Sequence, residues 1–114
     1  MKSPRLAAGL AAAMAIGGLA TPIIATPASA DVCGAVRDVY ISGAESHYTI
    51  TCSNGYTYVN GRVRDTRADG RCAQVKAQIG PTWFYSEAAC PKDTVRYFSW
   101  HERASGANVW TYLI

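Results

Sequence analysis

Short segments in which apolar and polar residues alternate follow one another along the chain after residue 30. In the clearest of them, residues 73–79, apolar residues occupy the odd positions, and the even positions hold Gln74, Lys76 and Gln78. Because successive side chains of a β-strand point to opposite faces, a period of two indicates a strand with one face in the core and the other in water.

Turn-forming residues separate these segments at intervals of about eight to twelve positions. Seven strands are predicted, at residues 35–41, 46–52, 56–65, 71–79, 82–88, 94–101 and 107–114. The turns between them contain Ser42-Gly43, Ser53-Asn54-Gly55, Asp69-Gly70, Gly80-Pro81, Pro91-Lys92-Asp93 and Ser105-Gly106. The pattern predicts an all-β domain, a small antiparallel sandwich or flattened barrel of six to seven strands.

Two of the segments leave a choice open. Asn60-Gly61 is compatible with a hairpin turn, but arms of four residues make a marginal hairpin, so a bulge within one long strand is favoured. Residues 107–114 are apolar on both sides, so the pattern does not select the inward face. The two sides are Val109 with Leu113, and Trp110 with Tyr112 and Ile114.

Residues 1–30 have the features of a secretory signal peptide. Lys2 and Arg5 precede an apolar run over residues 6–20, and small residues lead to Ala28-Ser29-Ala30, which fits a cleavage site. An uncleaved anchor helix is disfavoured because glycines and Pro22 interrupt the run. The expected product is a single secreted, extracellular domain of residues 31–114.

The charge balance narrows the classes of partner. The full chain has 11 Lys plus Arg and 8 Asp plus Glu, and removal of Lys2 and Arg5 with the signal leaves nine against eight. A net charge of +1 provides no basic field for nucleic acid, and no apolar stretch after Ala30 is long enough to span a membrane. The predicted partner is an extracellular protein or glycan.

Four cysteines in a short exported chain indicate a disulfide framework, for which three pairings are possible. If Ser42-Gly43 forms the tip of the first hairpin, Cys33 faces Cys52. If Gly80-Pro81 forms the tip of a later one, Cys72 faces Cys90. Directly opposed positions on antiparallel strands lie close to disulfide distance, so these two bonds are predicted.

Candidate catalytic groups are few. His101 adjoins Glu102, and a ribonuclease-like set of one His, one Glu and one Arg is available from His101, Glu102 or Glu87, and Arg103 or Arg96. Neighbouring strand residues point to opposite faces, however, which separates His101 from Glu102. No Gly-x-Ser-x-Gly motif is present, and two histidines with bridged cysteines are too few ligands for zinc. No catalytic residue, cofactor or metal is therefore predicted.

The aromatic residues suggest a different role. All twelve follow residue 30, and in a run such as Trp83-Phe84-Tyr85 alternation forces some rings outward. Exposed rings suit a protein partner or a stacked sugar, although a small core also needs rings. The leading hypothesis is a secreted binding or inhibitor-like module, with a ribonuclease-like hydrolase using His101 and a cell-envelope structural protein as alternatives. The candidate binding residues are Tyr56, Tyr58, Trp83, Tyr85 and Trp100.

Three segments, residues 61–73, 89–94 and 105–109, resemble small secreted two-disulfide proteins of actinomycetes, most of them uncharacterised. The likeness covers about residues 55–114 and implies a secreted β domain without an attached activity. The actinomycete α-amylase inhibitors are similar in size and in having two disulfides. Their Trp-Arg-Tyr motif has only Val95-Arg96-Tyr97 as a counterpart, so no functional residue is carried over.

Overall fold

A computed structural model describes residues 30–114, which form two antiparallel sheets packed face to face. The strands are β1 (Ala30–Asp31), β2 (Val36–Ile41), β3 (Ala44–Ser53), β4 (Tyr56–Asp65), β5 (Ala73–Ile79), β6 (Thr82–Tyr85), β7 (Val95–Arg103) and β8 (Ala107–Leu113). The strand orders are β1-β8-β5-β6 and β2-β3-β4-β7, without a closed barrel. The predicted antiparallel sandwich is confirmed. The signal-peptide prediction concerns residues 1–30, of which all but Ala30 lie outside the described residues.

The seven predicted strands are all present, with shifted ends. β3 begins at Ala44, and β6 ends at Tyr85, three residues earlier than expected. The two-residue β1, which pairs Ala30 with Asn108, was not predicted. Between residues 30 and 114, no helix has the length and apolarity needed to cross a membrane.

Two-residue turns join the tightest hairpins, at the positions that the sequence predicts for turns. Asn54 and Gly55 both have positive φ, at 52° and 85°, and they connect β3 to β4. Both central residues of a type I′ turn require this conformation, which Asn-Gly adopts readily. Gly80, with φ 60°, precedes Pro81 in the turn between β5 and β6.

The predicted bulge at Asn60-Gly61 is wrong. β4 pairs without interruption with β3 on one side and with β7 on the other, so Gly61 lies opposite both Tyr48 and Phe98. A Cβ atom at Gly61 would collide with the His47 carbonyl oxygen and approach the Tyr48 Cβ to 2.5 Å. Glycine at position 61 therefore allows β3 to lie close to β4, and it does not introduce a bulge into β4.

The core lies between the two sheets and consists mainly of small and β-branched residues, together with the rings of Tyr48 and Phe98. Every odd position of β5 is fully buried, which confirms the face assignment for residues 73–79. The largest fully buried apolar side chains are Ile50, Ile79, Val59, Val63 and Val75. A polar contact crosses the core, since the hydroxyls of Ser46 in β3 and Thr111 in β8 lie 2.6 Å apart. Each of these two buried hydroxyls thereby has a hydrogen-bond partner, which it would otherwise lack in the core.

Both predicted disulfides are present, Cys33–Cys52 and Cys72–Cys90, with Cα atoms 5.4 and 4.8 Å apart. The first lies at the open end of the β2–β3 hairpin. For the second, the pairing shifts by one residue beyond β6: Ser86 N–H donates to the Val75 carbonyl, whereas Ala89 pairs with Ala73. This extra residue brings Cys90 opposite Cys72.

Candidate binding surface

The outer face of the sheet that contains β5, β6 and β8 is rich in aromatic side chains. Eight side chains of these strands point outward, and we call this surface the aromatic face. Four are aromatic, three carry amides, one is a lysine and none is aliphatic. They are Gln74, Lys76, Gln78, Trp83, Tyr85, Asn108, Trp110 and Tyr112.

Two indoles stack on this face across the central strand. Trp83 in β6 and Trp110 in β8 have ring centroids 5.3 Å apart and an interplanar angle of 26°. Their strands both pair with β5, one on each side, so the rings meet over it. Trp83 remains 44% exposed and Tyr85 58% exposed, so aromatic surface is available to a partner.

The Lys76 ammonium lies among three of the rings. Its Nζ is 5.7 Å from the centroid of Trp83, 5.4 Å from Trp110 and 5.3 Å from Tyr112. A cation at this distance from a ring is attracted by its π electrons. No carboxylate between residues 32 and 114 forms an ion pair with Lys76, so none of the carboxylates in this range neutralises its charge.

Tyr112 is fixed by its hydroxyl, which donates a hydrogen bond of 2.6 Å to Gln74 Oε1. Burial raises the pKa of the Tyr112 phenol above its usual value, and the neighbouring Tyr85 adds to this effect. The phenol therefore stays protonated at neutral pH and can donate this hydrogen bond. Gln74 is held in turn, because its amide NH₂ donates to the Ser86 carbonyl oxygen. This chain of hydrogen bonds sets the orientation of the Tyr112 ring.

A cleft of about 490 Å³ continues the aromatic face at the end where β5 and β8 meet their turns. Gln78 and Asn108 line the cleft and also belong to the aromatic face. Gly80 and residues 104–107 complete its wall. Residues with amide and hydroxyl side chains thus line a cleft that adjoins the aromatic face.

The five predicted binding residues do not form one surface. Trp83 and Tyr85 belong to the aromatic face, whereas Tyr56 and Tyr58 lie on the outer face of β4 in the opposite sheet. Trp100 points inward, where its ring stacks on Phe98 at 4.6 Å and on Phe84 at 5.7 Å. These three rings close the side of the sandwich between β6 and β7.

Sequence reasoning did not place Lys76, Trp110 and Tyr112 in a candidate site. Alternation correctly assigned Lys76 to the water face of β5, but a lone lysine there has no chemical signature. Trp110 and Tyr112 were left without a face because residues 107–114 are apolar on both sides. The pairing of β8 with β5 resolves the choice.

The candidate catalytic groups lie elsewhere and are dispersed. His101 stacks on the Tyr58 ring at 5.3 Å on the outer face of β7. Glu102 lies opposite the buried Thr57 and so belongs to the other face, as predicted. Glu87 pairs with Arg96 at 3.4 Å. The structure does not bring His101 and Glu102 together.

A cluster of charged and polar side chains lies on the outer face of the sheet that contains β3 and β4. His47 Nδ1 is 2.7 Å from Asp38 Oδ1, and Arg64 Nε donates to Glu45 Oε2 at 2.9 Å. Arg64 also donates to Asp93 Oδ1 at 2.7 Å. The hydrogen bond from Arg64 lowers the pKa of the Glu45 carboxyl below its usual value, against the opposing effect of its partial burial.

This lowered pKa gives stability a pH dependence at Glu45. A carboxyl whose pKa is depressed on folding stabilises the folded state above its unfolded pKa and loses that contribution as pH falls through the folded pKa. We expect Glu45→Gln to lower the thermal midpoint at pH 7, and to lower it less at a pH acidic enough to protonate Glu45 in the folded protein. Circular dichroism melts measure this. Equal destabilisation at both pH values would contradict it.

Comparison with known proteins finds no matching family model, curated protein or solved structure. The resemblance to small secreted actinomycete proteins therefore stays a prediction. Fold and surface define a two-disulfide antiparallel sandwich in which the aromatic face carries the stacked indoles of Trp83 and Trp110.

Proposed function

We propose that this chain is a secreted binding module and that the aromatic face is its binding surface. The observation that carries the proposal is the stacked pair of Trp83 and Trp110 beside Tyr85, all on one side of one sheet. Rings held against each other lose little conformational freedom on binding, so they favour association.

The composition of the face supports binding over a purely structural role for these rings. The core is already filled by Phe84, Phe98 and Trp100 at one side and by β-branched residues at the centre. Trp83 and Tyr85 lie outside the core and expose apolar surface to water. In a protein without a binding partner this exposure brings no benefit.

Retention on extracellular material tests the proposal. Purified protein is incubated with cell walls, insoluble polysaccharides and immobilised secreted hydrolases. We expect the wild type to be retained on at least one of them and Trp83→Ala/Trp110→Ala to be retained about tenfold less. Tyr97→Ala is the matched control, because Tyr97 is 79% exposed on the opposite sheet.

Each variant is first checked for an unchanged circular dichroism spectrum and a cooperative melt. If nothing retains the wild type, or if Tyr97→Ala weakens retention as much as the tryptophan pair, the proposal is wrong.

A further inference from the structure

We infer that the aromatic face takes an acidic polysaccharide, with a sugar ring against the indoles and a sugar carboxylate on Lys76. The inference rests on the proposed function and names its ligand class. Three features of the face carry it: the kind of apolar surface it offers, its single charge and the cleft at its end.

The apolar surface is entirely aromatic. Aliphatic side chains are absent from the eight outward positions of β5, β6 and β8, whereas amides occupy three of them. A sugar ring presents C–H groups on one face and hydroxyls around its rim. Aromatic faces accept the former, and amides such as those of Gln78 and Asn108 pair with the latter.

The positive charge of Lys76 indicates that the ligand is anionic. Lys76 is the one charged side chain among the eight, and the rings at 5.3–5.7 Å hold its ammonium at the centre of the face. An anionic group beside it makes a charge-assisted hydrogen bond. In a uronic acid the carboxylate is attached to the sugar ring itself, so stacking and ion pairing occur together.

The same charge disfavours a second copy of this chain as the occupant. A two-fold dimer brings one patch against itself. Joining two aromatic faces would place one Lys76 near the other without a carboxylate from this face to compensate. Like charges in an interface cost binding energy.

The cleft extends the surface along the strands. From Tyr112 to Asn108 the face runs four residues, or about 13 Å at roughly 3.3 Å per residue. The cleft lined by Gln78, Asn108 and Ser105 continues from there. An elongated surface of this kind suits consecutive units of a polymer.

Binding of polyuronates tests the inference. Polygalacturonate and alginate are the probes, and methyl-esterified polygalacturonate is the uncharged counterpart; calorimetry and affinity electrophoresis provide the affinities. We expect the wild type to bind at least one polyuronate, to bind the ester about tenfold more weakly, and to lose affinity as salt is raised.

Lysine variants locate the charge that matters. We expect Lys76→Gln to bind polyuronate about tenfold more weakly, Lys76→Arg to retain most of the affinity, and Lys92→Gln to match the wild type. Lys92 is exposed in the turn before β7 and is not one of the eight side chains of the aromatic face, so Lys92→Gln makes the same change of charge elsewhere. Trp83→Ala, on the short edge strand β6, provides a stacking variant that leaves the central strands intact.

The outcomes separate this inference from the proposed function. If neither polyuronate binds, if the ester binds as tightly as the acid, or if Lys92→Gln weakens binding as much as Lys76→Gln, the acidic ligand class is wrong. The proposed function still stands in these cases if retention on extracellular material depends on Trp83 and Trp110. If retention does not depend on Trp83 and Trp110, the proposed function and the acidic ligand class are both wrong.

Discussion

Reduction of both disulfides is expected to unfold the domain. The bonds join cysteines separated by 19 and 18 residues, and closing loops of that length contributes about 3 kcal/mol each on the chain-entropy account. Domains this small bury a modest fraction of their surface and have total stabilities of about 5–15 kcal/mol. A domain of this size lies near the lower end of that range, so loss of about 6 kcal/mol removes most or all of its stability. Circular dichroism melts with and without a phosphine reductant measure the effect.

Variants that remove one bond at a time should differ from each other. Cys72–Cys90 flanks the pairing of Ala73 with Ala89, both fully buried, so Cys72→Ala/Cys90→Ala should lower the melting temperature of the whole domain by about 15 °C. Cys33–Cys52 secures β2, an edge strand whose side chains are mostly exposed. Its removal should fray that strand and leave a smaller shift.

Hydrogen exchange distinguishes the two effects, because fraying of β2 raises exchange there and leaves β5 protected. Unchanged melting temperature in reduced protein, or in both double variants, would show that the sandwich is stable without its bonds.

Local features of this fold were predictable because each depends on a few adjacent residues. Asn54-Gly55 and Gly80-Pro81 determine their turns through backbone conformation. Once the tips are known, antiparallel geometry places the facing cysteines. For Cys72 and Cys90 the predicted pairing was right although the hairpin register is one residue out, since an extra residue between Ser86 and Ala89 compensates.

Non-local features were not predictable for a physical reason. The pairing of β5 with β8 joins segments about 30 residues apart in sequence and depends on which faces pack together in the finished sandwich. That pairing alone decides that Trp110 and Tyr112 point outward, next to Lys76. Trp100 was misplaced for the same reason, because its partner Phe84 belongs to the other sheet.

The candidate surface shows the same division. Trp83 and Tyr85 were assigned to a binding surface because aromatic residues in a run must include outward ones. Their combination with a lysine and three amides arises from three strands meeting in one sheet. A composition-based argument can therefore find aromatic candidates but not the charge that gives the surface its ligand preference.

Gly61→Ala is expected to be severely destabilising, at about 3 kcal/mol, as for an overpacked core. The added methyl would lie 2.5 Å from the Tyr48 Cβ and 2.8 Å from the Tyr48 Cα, and it would collide with the His47 carbonyl oxygen. These atoms belong to the backbone of β3 and its first side-chain carbon, so relief requires β3 and β4 to separate. Chemical denaturation of the variant measures the loss.

The identity of the atoms that obstruct a Cβ at position 61 leads to a more specific prediction. Truncation of the neighbouring ring in Tyr48→Ala/Gly61→Ala should not restore stability, because the Cα, the Cβ and the His47 carbonyl oxygen all remain. Asn60→Ala is the matched control: Asn60 is adjacent in β4 and exposed on the outer face, where its Oδ1 accepts a hydrogen bond from Ser99 Oγ, so its loss should cost only about 1 kcal/mol. Rescue by the double substitution would mean that the Tyr48 ring, and not close approach of the two strands, demands glycine at this position. Wild-type stability in Gly61→Ala would show that the strands separate at negligible cost.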